Sequence, residues 1–384
     1  GNTSNVLNRR DLQCVALARF KEDFPKIELT PPLVSAVFNR AIEQTHDDPE
    51  QAVQVWNGTH ACRPDVASQL IPQRGLVTIN AWVQPSYRSI AEAAPDMSFL
   101  DALLNRMCSH EPDRRMVKDW LAWNLQNEAD KPGWAIMLYS RHKGTGKSSF
   151  CRLAARLFGE RNAFTQNGAD KLTGKFNAPL LNSKLVVSEE IELKQGSKTA
   201  NTLKTYITER EATVEWKGKD VQKVEQCCCL LFTTNHMPYW VEPNDRRYYV
   251  VDCDHPGHAS GPESDEFSEF MKGWVAHLDV DEVIARLYNA LLAHVVSNEF
   301  DARRLNLATQ SNPLMATIQA QSGDVLVDRV REYMNERDVR AAPQGKLIEL
   351  LQTDFKASGN QLKHVMTELE WTHQKVKWGG KDYA

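Results

Sequence analysis

Between Ser140 and Ser149 the chain reads Ser-Arg-His-Lys-Gly-Thr-Gly-Lys-Ser-Ser. Gly144, Thr145, Gly146, Lys147, Ser148 and Ser149 have the types and spacing of a phosphate loop. Glycines let successive backbone N–H groups converge on phosphate oxygens where a Cβ would clash. Lys147 would reach the β- and γ-phosphates, and the Ser148 hydroxyl is suited to ligate Mg²⁺. One position departs from the G-x-x-x-x-G-K-S pattern, because Arg141 stands where the first glycine is usual.

Further along, Leu185-Val186-Val187-Ser188 runs into Glu189-Glu190. An apolar strand closed by two acids fits a Walker B element. Glu189 would assist Mg²⁺, and Glu190 would take the proton from an attacking water. Next, Leu230-Leu231-Phe232 leads into Thr233-Thr234-Asn235. The Asn235 amide is neutral and both donates and accepts, which suits contact with a γ-phosphate or the lytic water. Asp245-Arg246-Arg247 then precedes Tyr248-Tyr249-Val250-Val251. Arginine stabilises charge on a transferring phosphoryl group. Taken singly, these are a solvated strand end, a strand exit and a surface ion pair. Their order makes them a set.

The elements that must position them follow from periodicity. Trp134–Tyr139, Leu185–Ser188 and Cys227–Thr233 read as buried strands, and Ser148–Phe158 and Lys198–Thr208 as helices, the texture of an α/β core. Residues 6–60 and 99–126 carry helical patterns, with one strand-like run at Leu76–Trp82. A Pro/Gly/Ser loop over Asp254–Glu266 precedes a helical stretch to about Glu299. Residues 301–323 read as a polar linker. The last stretch reads as helices at 324–335, 344–351 and 360–369, then a hairpin around Gly379-Gly380.

The four motifs in this order resemble superfamily 3 helicases, a branch of the AAA+ ATPases. Lys171-Leu172-Thr173-Gly174-Lys175-Phe176-Asn177, Leu203-Lys204-Thr205-Tyr206-Ile207-Thr208 and Asn244-Asp245-Arg246-Arg247 look like the helicase part of phage and mobile-element primase–helicases. Poxvirus primase-helicases are more distant relatives. The resemblance is specific over 131–255. It implies an α/β P-loop ATPase core with an N-terminal region (1–98), a helical collar (99–130), a helical extension (256–323) and a winged-helix-like module (324–384). It implies ATP and Mg²⁺ as cofactors, a homo-hexameric ring, single-stranded DNA as partner, and Arg246 and Arg247 acting on a neighbour's nucleotide. It also implies a cytoplasmic protein of a bacterial host cell, encoded by a phage or mobile element. Ala212–Val221 reads as strand, glycine turn and strand. In the family such a hairpin lines the pore, so Trp216, Lys217 and Lys219 are the expected DNA contacts; an ordinary surface hairpin is the plain alternative. Helix 360–369 would be the recognition helix, and Lys375, Lys377 and Lys381 would lie on the wing, serving DNA or a protein.

Composition bounds these readings. At 384 residues the chain holds two or three domains of roughly 150 residues. With 46 Lys and Arg against 50 Asp and Glu, the net charge of −4 argues against coating nucleic acid by bulk charge. No apolar run approaches the ~18 residues of a membrane helix. The eight cysteines form no C-x-x-C pair, and Cys227-Cys228-Cys229 reads as buried strand residues. His255, His258 and Cys253 lie close in sequence but lack a matching ligand pair, so no structural zinc is expected. Gly1–Ser4 reads as a tag scar or excised start, and the chain as a fragment. Residues 1–130 contain no paired-acid D-x-D motif, so a primase–polymerase region of the same polypeptide would lie elsewhere. Two other functions fit the motifs. One is an ATP-dependent replication initiator or loader that binds DNA without processive unwinding. The other is a small-molecule P-loop kinase, which Asn235 and the arginine pair argue against.

Overall fold

The computed structural model describes residues 17–37 except 19, 56–90 except 74 and 75, 93–169, 173–174, 182–193, 196–214, 222–257 except 243, 264–321, and 324–383 except 356, 358, 373, 375, 379 and 380. Strands β1 (Trp56–Ala61), β2 (Leu70–Gln73) and β3 (Leu76–Asn80) form a small sheet with β3 in the middle. The helical pattern expected through residue 60 therefore gives way to a strand at Trp56. The helical pattern of 99–126 divides into α1 (Ser98–Met107) and α2 (Glu111–Gln126). Pro112 explains the break, because proline fits the first turn of a new helix and not the interior of a continuous one.

The central sheet contains β4 (Ala135–Tyr139), β5 (Ala163–Asn167), β6 (Leu185–Glu189), β9 (Cys229–Thr234) and β10 (Tyr248–Asp252). Between β6 and β9 the chain makes a separate hairpin of β7 (Glu211–Val214) and β8 (Gln222–Glu225). The sheet order is β10-β4-β9-β6-β5, with every neighbour parallel. Such a sheet is covered on both faces, so its inner strands read as unbroken apolar runs; all five residues of β4 are buried. β5 is the exception. Its sequence, Ala-Phe-Thr-Gln-Asn, is half polar because it lies at the edge, and no apolar run announced it.

Helices α3 (Lys147–Phe158), α4 (Lys198–Thr208), α5 (Ser264–Leu278), α6 (Asp281–Ala293) and α7 (Pro313–Gln321) complete this body. The linker expected at 301–323 is wrong for its second half. Leu314, Met315 and Ile318 of α7 are buried in the main core. Asn312 leads into that helix and donates to Asp113 Oδ1 at 2.8 Å and to the Val250 carbonyl at 2.7 Å, fastening α7 to α2 and β10. Trp120 and Trp134 lie in the same core.

Two buried lysines tie loops together with no carboxylate partner among the described residues. Lys184 Nζ donates to the carbonyls of Asp130 (2.7 Å) and Cys227 (3.2 Å). Lys131 Nζ donates to the carbonyls of Tyr206 and Glu209, so a cation sits at the C-terminal end of α4, where the helix dipole is negative. Ser197 caps the other end of that helix by accepting from Ala200 N at 3.2 Å.

The C-terminal elements are α8 (Asp324–Glu336), α9 (Gln344–Phe355), α10 (Gly359–Glu368), β11 (Val376–Trp378) and β12 (Lys381–Tyr383), the last two paired antiparallel. They have their own core of Val330, Met334, Leu347, Leu351, Leu362 and Val365.

Candidate active site

The chain leaves β4 for the far edge of the sheet and returns through β6 to insert β9 beside β4. Ligands in open α/β sheets bind outside the carboxyl ends of the strands, where the order switches. At that end the expected residues converge. β4 runs into the loop 140–146, and α3 begins at Lys147 with Gly146 before it. Gly146 has φ +97°, and a Cβ there would meet Met107 Cγ at 3.0 Å, so only glycine serves.

Lys147 is 8% exposed, and its Nζ donates to Asn235 Oδ1 at 2.9 Å. Burial draws this ammonium below the usual lysine range, while the carboxylates of Asp254 and Glu190 pull the other way. Ser148 Oγ donates to Glu189 Oε2 at 2.7 Å. Glu190 holds a left-handed backbone at φ +52°, uncommon for a side chain with a Cβ. Its N–H donates to Thr233 Oγ1 at 3.2 Å, and the next N–H, of Ile191, donates to the Thr233 carbonyl at 2.8 Å. Thr233 thus sets the turn that carries Glu190. Thr145, Gly144 and Ser149 lie on the loop and first turn, and the Thr145 hydroxyl is buried without a partner among the described residues.

Two residues of the turn after β10 brace the loop from behind, and the motif pattern passed over them. Asp254 Oδ1 accepts from His142 N at 3.1 Å, pairs with His142 Nδ1 at 2.7 Å and accepts from Ser140 Oγ at 3.3 Å. Arg141, at the position of the missing glycine, lies 72% exposed with its guanidinium 3.5 Å from Asp254 Oδ2. Burial alone would raise the Asp254 carboxyl, but the bonds from the His142 ring and backbone outweigh it and hold the group below the usual carboxylate range. His255 Nδ1 accepts from Gly257 N at 3.1 Å, which leaves Nε2 to donate to the Thr145 carbonyl at 3.2 Å. Burial lowers the pKa of this ring, in keeping with a neutral tautomer that satisfies both contacts. Only their place directly after a sheet strand could have marked Asp254 and His255 in the sequence.

His255 therefore serves the loop. The Cys253 thiol lies 3.8 Å from that of Cys108, and His258 lies outside the described residues. Among the described residues no group of three or more His, Cys, Asp or Glu is placed to hold a metal ion.

Arg246 and Arg247 are not brought to this cluster. They precede β10, and the Arg247 carbonyl accepts from Ala135 N at the start of β4. The five residues of β4 put them roughly 16 Å from the loop at about 3.3 Å per residue. Arg247 is paired with the buried Asp245 at 3.1 Å, whereas Arg246 is exposed. Trp216, Lys217 and Lys219 lie outside the described residues, as does most of 171–177. The paired stems of their hairpin are formed by β7 and β8. Lys204 is bound to Glu242 at 2.7 Å.

A parallel α/β sheet with its polar residues gathered at the carboxyl ends defines the class. Residues 138–247, from β4 to the approach of β10, match a family of unknown function (DUF5906). A DNA primase-polymerase of Nitratiruptor phage NrS-1 is 28% identical over 140 residues, which is 35% of this chain and 19% of that protein. The match thus spans about a fifth of the phage protein's length. The apo structure of the NrS-1 C-terminal region (305–718) has a TM-score of 0.55 at 16% identity, covering 90% of this chain and 89% of that one. The A form of the same region gives 0.52 at 17% identity, with the same coverage. The chain shares the fold of that region. No helix among the described residues is long and apolar enough to cross a membrane.

Proposed function

We propose that this chain is the ATPase of a phage-type replication protein: a superfamily 3, AAA+ DNA helicase that hydrolyses ATP between the subunits of a hexameric ring and moves along single-stranded DNA. One observation carries the reading. Lys147 and Ser148 after β4, Glu189 and Glu190 at the end of β6 and Asn235 after β9 gather at the carboxyl ends of the sheet, with Lys147 bonded to Asn235, Ser148 to Glu189 and the Glu190 backbone to Thr233.

The residues present fit a nucleotide and a divalent cation. The loop turns on Gly144 and Gly146, both with positive φ, so its backbone N–H groups are free of Cβ obstruction. Ser148 and Glu189 are hard oxygen donors 2.7 Å apart and would hold Mg²⁺. When bound, the ion neutralises charge on the phosphate oxygens. Lys147 exchanges its bond to Asn235 for the γ-phosphate. Asn235 is then released to orient water, and Glu190, set by Thr233, accepts the water's proton.

Arg246 and Arg247 lie at the opposite end of the sheet, so within one copy they stabilise no phosphate charge. A ring supports their use, since each copy can present that end to the next one's loop. The strand β9 inserted between β4 and β6 supports the AAA+ assignment. The match to a phage protein named DNA primase-polymerase supports a replicative role, with a primase–polymerase region as partner in the same polypeptide. The three helices and hairpin at 324–383 support a winged-helix module.

The test is strand displacement on a forked DNA. ATP-dependent unwinding that Lys147→Ala abolishes is the expected result. ATP-dependent DNA binding with no unwinding would replace the helicase by an initiator or loader.

A further inference from the structure

Beside the phosphate loop lies a recess of about 260 Å³ between α1, the turn after β10 and the start of α5. Asn105, Arg106, His255, Gly257, Glu266 and Phe267 are among its lining residues. It shares a wall with the loop. Gly257, at φ +62°, leaves no room for a Cβ, which would meet the Gly144 carbonyl oxygen at 2.7 Å and that of Lys143 at 2.9 Å. His255 forms part of the same wall through its bond to the Thr145 carbonyl. A molecule with its phosphates in the loop has this hollow directly against the loop's flank.

The lining suits a flat, polar-edged heterocycle. The Arg106 guanidinium is parked 3.9 Å over the Phe270 ring, which steadies a planar cation at the rim. Phe267 is buried, with its ring edge-to-face with His255 at 5.0 Å. Asn105 and Glu266 are exposed, and among the described residues their side chains have no hydrogen-bond or ion-pair partner. A carboxamide offers a donor and an acceptor together, the complement of N7 and the 6-amino group of adenine. A carboxylate only accepts, so it favours an amino group over a carbonyl at that edge.

We propose that this recess holds the adenine of the nucleotide whose phosphates lie in the loop, with Arg106 against the base face and Asn105 and Glu266 at its hydrogen-bonding edge. The inference rests on the nucleotide reading above. The experiment compares dissociation constants for ATP, GTP and inorganic tripolyphosphate. Wild type should bind ATP at least 10-fold more tightly than tripolyphosphate and more tightly than GTP. Asn105→Ala should weaken ATP at least 10-fold without changing tripolyphosphate, and Glu266→Gln should narrow the gap between ATP and GTP. Both side chains are exposed, so neither change should disturb folding. Labelling by 8-azido-ATP should fall on peptides containing residues 105–106 or 255–267. If both variants leave ATP affinity unchanged while Lys147→Ala abolishes it, or if the label falls elsewhere, the base lies in another place and the loop assignment stands. If wild type binds neither ATP nor tripolyphosphate, the nucleotide reading fails and this inference with it.

Discussion

Lys147 and Asn235 hold each other at 2.9 Å, and this pair is the nearest approach of two groups expected to meet the same phosphate. A lysine that is 8% exposed and whose hydrogen-bond partner among the described residues is a neutral amide is desolvated and in want of an anion. Lys147→Ala should therefore reduce ATP turnover at least 100-fold, measured by phosphate release. Glu190→Gln keeps the volume and removes the base. It should lower turnover roughly 100-fold or more while ATP affinity stays within about threefold; normal turnover would place the base elsewhere. Asp254 acts through the loop and touches no phosphate. Asp254→Asn should raise KM for ATP about 10-fold with a smaller change in kcat, as expected for a positioning residue. The Asp254 carboxyl is held below its usual range, so its bracing is present at neutral pH and is lost as pH falls through that lowered value. A wild-type KM that rises in acid, with Asp254→Asn flat over the same range, would confirm it.

At the scale of elements, polar fastenings fix loops and helices to the apolar sheet. Lys131 lies at the C-terminal end of α4, and burial pushes its pKa down to about 8 from the model-peptide 10.5. Between those values the unfolded chain binds more protons than the folded one, so stability should rise with pH across that window. Lys131→Met should lack that rise in urea melts at pH 7.5 and 9.5. Ile318→Ala in α7 should cost about 2–5 kcal/mol, as for a buried side chain cut to alanine, whereas a true linker would show almost no loss. These elements also show what a sequence makes legible. The inner strands and the helices α3 and α4 declared themselves, because parallel strands covered on both faces are continuous apolar runs and the flanking helices are amphipathic. β5 did not, since an edge strand can be half polar. α7 did not, because its anchor Asn312 is a polar residue whose partners, Asp113 and Val250, come from distant parts of the chain. At the site, Lys147, Ser148, Glu189, Glu190 and Asn235 were legible because spacing along strands and loops encodes them. Asp254, His255 and Thr233 were hidden because they act through backbone groups of segments remote in sequence.

For the molecule as a whole, the decisive feature is the distance between the loop and the arginines. One copy carries the loop, the acids and Asn235 at one end of its sheet and Arg246 and Arg247 at the other. Arg247 is held by Asp245, so exposed Arg246 is the freer of the two to reach a neighbour. Arg246→Ala should bind ATP normally yet hydrolyse it at least 10-fold more slowly, and mixing it with wild type should lower activity more than dilution does. The central claim, a site completed by a second copy and coupled to DNA, is tested most directly by one measurement. ATPase rate is followed with and without single-stranded DNA, with particle mass read by light scattering on the same sample. The account predicts turnover from hexamer-sized particles, accelerated by the DNA. Turnover from monomers at a rate independent of protein concentration and of DNA would contradict it.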